Sequence, residues 1–208
     1  MWTAHAGSDG PDEDFLRRMS APENEIPVAL AVNVLLARSE DAAVALVGPQ
    51  VYTTGVSFTL IVRARPSSEL ARTRGLNELI WQHGPEAGRF LLGIELADGR
   101  RASGMRMGHG EPDLVFHSGG GSGGEASAEQ SWWLSPLPPE GPLTFVVRCP
   151  DLGIDETATE LDGSAIRRAA DDVVTLWPWE PPPEHRGPDW PPPPDVPPDS
   201  WFARPSSP

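Results

Sequence analysis

The chain has 208 residues and a formal net charge of -14, and every one of its 16 basic residues is arginine. An average surface this acidic repels phosphate backbones and anionic lipid, so nucleic acid and membrane surfaces are excluded as partners. Cys149 is the sole cysteine; no intramolecular disulfide can form, and a reducing cytoplasm is the expected setting.

Taken in chain order, residues 1–24 hold glycine, proline and acids around a short apolar pair, Phe15-Leu16, too little to offset the entropy of ordering them. They predict an acidic mobile arm. Asp9, Asp12, Glu13 and Asp14 stand where a signal peptide would be basic and then apolar, which again predicts a cytoplasmic protein. From residue 25 to 177 strand follows strand. Residues 28–37 and 43–47 are short apolar candidates, and no run reaches the ~20 residues of a membrane helix. Val56 to Arg63 sets Val56, Phe58, Leu60 and Val62 on one face and Ser57, Thr59, Ile61 and Arg63 on the other, the period of two of a half-buried strand. Residues 69–81 have helical spacing broken by Gly75, a possible short helix. Phe90, Leu92, Ile94 and Leu96 alternate up to Asp98-Gly99, a hairpin signal, after which residues 100–107 return as the partner strand. Strands are also predicted at 114–117, 131–134, 143–148 and 155–161. Ile166, Ala169 or Ala170, Val173 and Trp177 then recur at helical spacing, with Asp162 or Ser164 to cap the first turn and Pro178 to stop the last. Many short strands, few helices and no strand-helix alternation predict an antiparallel β-sandwich or jelly roll with one C-terminal helix.

The chemical motifs are thin. Gly120-Gly121-Ser122-Gly123-Gly124 satisfies the G-x-S-x-G pattern of hydrolases, but any glycine run does, and no helix follows to form a nucleophile elbow; a flexible hairpin loop is the expectation. His109, Glu111, Asp113 and His117 contain metal-binding atoms without a metal site's companion pattern, and read as solvated loop residues. Glu95 falls on the outward face of its strand, and Cys149 reads as a core thiol because it points away from Arg148. No catalytic residue, metal site or cofactor is assigned. Trp132-Trp133 directs one ring to each face of a strand; one belongs to the core, and the other, if exposed, would be a platform for a sugar or small ligand.

The segments Trp132 to Pro138, Gly141 to Phe145, Leu161-Asp162-Gly163 and Leu176 to Trp179 together resemble uncharacterised actinobacterial proteins expected to be β-sandwiches. That resemblance spans about residues 25–180 and implies a fold without implying an activity.

Residues 178–208 carry 13 of the 25 prolines and should be extended polyproline II. Trp179, Trp190 and Trp201 recur there every eleven residues, about 34 Å apart at a rise of ~3.1 Å. Aromatic anchors on a stiff tail predict a non-enzymatic interaction module or assembly subunit whose partner is another protein or a second copy. The alternative reading is a sandwich that binds carbohydrate or a small ligand at Trp132 or Trp133, hydrolysis included.

Overall fold

A computed structural model describes residues 13–73, 75–81, 90–104 and 113–181. Helix α1 (Glu13–Arg18) leads into the two-residue strands β1 (Glu25–Ile26) and β2 (Val28–Ala29), followed by β3 (Asn33–Arg38), β4 (Ala42–Val51) and β5 (Val56–Ala64). Helices α2 (Glu69–Thr73) and α3 (Leu76–Trp81) precede β6 (Leu91–Glu95), β7 (Arg101–Ser103), β8 (Val115–Gly123) and β9 (Ser127–Ser135). The chain continues through β10 (Pro142–Cys149), β11 (Ile154–Asp162), α4 (Gly163–Ala169) and β12 (Val174–Thr175). The molecule is mainly β, and every strand pairing among the described residues is antiparallel.

Alternation explains the layers. β5 buries Val56, Phe58, Leu60, Val62 and Ala64, and β10 buries Leu143, Phe145, Val147 and Cys149. A strand with one apolar face must cover it, and these two faces cover each other: Phe58 and Phe145 meet edge to face with centroids 5.4 Å apart. β5 is central to the larger sheet, ordered β2-β4-β5-β9-β8, with β3 continuing the β2 side along β4. β10 is central to the smaller, ordered β11-β10-β6-β7. One hydrophobic cluster runs between the two sheets, which makes the fold a sandwich. On one flank β3 and β11 adjoin, where the Thr159 hydroxyl donates to the Leu36 carbonyl at 2.9 Å. The β6–β7 hairpin turns at Asp98-Gly99, and the Arg100 guanidinium bonded to the Asp98 carboxylate holds that carboxyl below its ordinary range.

Three features depart from the sequence expectation. The helical spacing of residues 166–177 breaks early. Asp162 does cap α4, accepting from the Ser164 amide at 2.9 Å, but after a single 3-10 turn at Ala170–Asp172 the chain extends. Val174 and Thr175 pair instead with Ile26 and Glu25. A ladder offered by a segment some 150 residues away outweighs local helical preference, which is worth only tenths of a kcal/mol per residue. The glycine run is also strand up to Gly123, and only Gly124 falls in the hairpin turn between β8 and β9. Gly121, Ser122 and Gly123 stand in β8 opposite Gln130, Glu129 and Ala128, because pairing with β9 supplies what glycine's own propensity lacks. The helical stretch at 69–81, finally, is two short helices parted at Gly75, whose φ of +76° continues no right-handed turn.

From Glu13 onward the segment read as a mobile arm is seated on the outer face of the larger sheet. The carbonyls of Arg18 and Met19, at the end of α1, accept hydrogen bonds from Trp133 Nε1 at 2.7 Å and His117 Nε2 at 2.8 Å.

Candidate functional site

Trp132 and Trp133 are both about 5% exposed, although they project from opposite faces of β9. The inward ring of Trp132 packs on Phe116 with centroids 4.8 Å apart. The outward ring of Trp133 lies under the end of α1, edge-on to Tyr52 at 5.7 Å. It also leaves no room beside Gly55, where any added Cβ would overlap the ring at 2.7 Å and the Leu134 carbonyl oxygen as well. Neither tryptophan therefore presents a face to solvent on which a sugar could stack. A cover laid down by a distant backbone carbonyl has no signature in the local sequence.

The inner wall near Trp132 is not filled. A partly open cavity of about 130 Å³ lies between the sheets, walled by Ile80, Phe90 and Leu92 on one side and Ser118, Gln130 and Trp132 on the other. Gln130 is about 5% exposed on the inner face of β9, and its carboxamide has no hydrogen-bond partner among the described residues. Trp132 Nε1 is buried without an acceptor. The indole N–H, a buried donor left unpaired, costs on the order of 1–3 kcal/mol, whereas the Gln130 carboxamide opens on the cavity. No carboxylate lines this cavity among the described residues. Glu95 and Glu156 lie instead on the outer face of the smaller sheet, along an open trough of about 490 Å³, where Glu95 is ion-paired to Arg101 at 2.8 Å.

Of the other chemical candidates, Cys149 is fully buried on the inner face of β10 while Arg148 is exposed, so the guanidinium and thiol diverge. His117 is bonded to the Met19 carbonyl, and Asp113 stands 3.9 Å from Arg18. Residues 109 and 111 lie outside the described residues. Among the described residues no group of three or more His, Cys, Asp or Glu side chains is placed to hold a metal ion. No described helix is long and apolar enough to cross a membrane.

The remaining feature is a surface that sequence reading missed. β1 and β12 form a two-stranded ribbon apart from both sheets, and Ile26 and Val174 face each other across it, each 52% exposed. Leu176 follows two residues on, sharing their face by strand alternation, and Trp177 is next; they are 46% and 55% exposed. The ribbon is held by Asn24, whose carbonyl accepts from the Leu176 amide at 2.8 Å and whose side-chain amide donates to the Trp177 carbonyl at 2.7 Å. The buried Glu25 carboxylate adds an anchor, accepting from the Thr53 amide and hydroxyl in the β4–β5 turn. Large apolar side chains are thus presented to water on a pinned backbone. Trp179, two residues on, is half-buried; Trp190 and Trp201 lie outside the described residues. The only sequence clue was Trp177 itself, and its helical spacing pointed the other way.

The chain matches no protein-family model, no curated protein and no solved structure.

Proposed function

We propose that this protein is an interaction module that docks, through the Ile26–Val174–Leu176–Trp177 ribbon and the proline- and tryptophan-rich tail beyond it, on a partner protein with an apolar groove and a basic rim. The observation that carries the reading is the ribbon itself. Four large apolar residues half exposed on one pinned element are what an interface core needs before its partner arrives, with tryptophan the commonest hot-spot residue. The acids support a basic partner. Glu23, Asp171, Asp172 and Glu180 flank the ribbon in sequence and are exposed, and two copies each carrying -14 would repel as they approached. A basic partner removes that penalty and gains rate from steering.

The test is photocrosslinking from p-benzoylphenylalanine placed at position 177, with a control probe at Thr144 on the outer face of the smaller sheet. The reading expects one saturable adduct from position 177 with a second protein that is basic, reduced at 0.5 M salt and absent with Val174→Asp. The double variant Trp190→Ala/Trp201→Ala should lower its yield several-fold while leaving thermal unfolding of the domain unchanged. An adduct of the chain with itself alone, or equal yield from Thr144, overturns the docking reading; an unchanged yield with the double variant removes the tail from it.

A further inference from the structure

The cavity behind Trp132 has a different character from the ribbon and points to a small molecule. Its volume, about 130 Å³, is close to the roughly 150 Å³ at which an apolar protein cavity takes up a single benzene ring. Its walls are mixed in a particular way. Ile80, Phe90 and Leu92 come from α3 and the start of the smaller sheet and are all buried, while the opposite wall brings the flat Trp132 ring and the Gln130 carboxamide from neighbouring inward positions of β9. Gln130 is central to the inference. β9 points Ala128, Gln130, Trp132 and Leu134 into the sandwich, and three of those four are apolar as a core strand requires. The fourth is an amide, more than nine-tenths buried, with no hydrogen-bond partner among the described residues. A carboxamide presents a donor and an acceptor side by side in one plane, so its natural complement is a group with the reversed pair, an acceptor beside a donor. On a planar ring that group is a lactam edge, –NH–CO–.

We infer that this cavity is a binding site for a single planar ring of benzene size with a lactam edge, paired in two hydrogen bonds with Gln130 and lying against Trp132 and the apolar wall. A purely apolar ring would leave the amide unpaired and bind more weakly; a larger fused ring system exceeds the volume. Removing Gln130's amide while keeping its bulk should lose the lactam preference and keep the ring-sized space, because the apolar wall is unchanged. The inference does not depend on the docking reading, since the cavity opens between the sheets and shares no residue with the ribbon.

The experiment follows the indole Nε1–H resonance of Trp132, assigned by its loss in Trp132→Phe, as the full chain is titrated with 2-pyridone, N-methyl-2-pyridone and benzene. Saturable shifts with 2-pyridone at least tenfold tighter than with N-methyl-2-pyridone or benzene are expected, the methyl group having removed only the donor. In Gln130→Leu the 2-pyridone affinity should fall at least tenfold and benzene should bind as well as before or better. Failure of 2-pyridone to shift the resonance up to its solubility limit would mean the cavity holds only water, and overturns the inference. Equal affinity for the lactam and its N-methyl form in the unsubstituted chain overturns it too, and that comparison stands even where Gln130→Leu does not fold.

Discussion

β9 and the β1–β12 ribbon treat the same residue type in opposite ways. At Trp133 an apolar ring on the outer face of a sheet is buried, because the end of α1 crosses it and the Arg18 carbonyl there accepts a hydrogen bond from its indole nitrogen. At Trp177 a ring of the same size stands 55% exposed, although Asn24 bonds to that residue's own backbone carbonyl. In both places the N-terminal segment meets a distant tryptophan through a backbone hydrogen bond. The difference lies in which part of the tryptophan is held: the side chain in the first case, the main chain in the second. Holding a ring buries it, whereas holding a backbone leaves its ring available.

That contrast can be broken by substitution, and the largest effect belongs to the covered ring. Trp133→Ala should cost about 3–5 kcal/mol in chemical denaturation, the usual range for emptying a buried aromatic site, and should free α1 from the sheet. A loss below about 1 kcal/mol would mean that the α1 cover contributes nothing to burial. Gly55→Ala probes the same site from the other side. Its new methyl group overlaps the Trp133 ring and the Leu134 carbonyl, so a loss of about 1–3 kcal/mol is expected, with Trp133 fluorescence shifted to the red as the ring is displaced. The exposed ribbon should respond least: Ile26→Ser combined with Val174→Ser should change stability by no more than about 0.5 kcal/mol per site, as for surface positions in general. A combined loss of 2 kcal/mol or more in the same denaturation series would show that the ribbon is structural cover, and its availability for docking would go with it.

How far the sequence revealed this molecule follows from the range of the forces involved. β5, β10 and the β6–β7 hairpin were legible because a strand's alternation and a turn's residues are local, and each reappears with the expected faces inward. The strand formed by Gly119 to Gly123 was not legible, since glycine carries no pattern and the pairing is supplied by β9. The end of α4 misled for the opposite reason. Val173 and Trp177 do fit a helical face, and only a partner at Glu25–Ile26 draws their neighbours into a ladder. At the candidate sites, the opposed directions of Trp132 and Trp133 were readable, whereas the cover over Trp133 comes from the distant end of α1 and the surroundings of the Gln130 amide from what lies across the sandwich.

The clasp at Asn24 also decides how the molecule would respond to force. A pull on the chain at Pro181 reaches first the two hydrogen bonds at Asn24 and then the two-residue pairing of β12 with β1. These bonds are loaded one after another, as in opening a zipper, and the extended segment after Asp172 can be drawn out while β10 and β11 stay paired. The ribbon would act as a mechanical fuse, yielding a short length of chain under tension before the sandwich itself is strained.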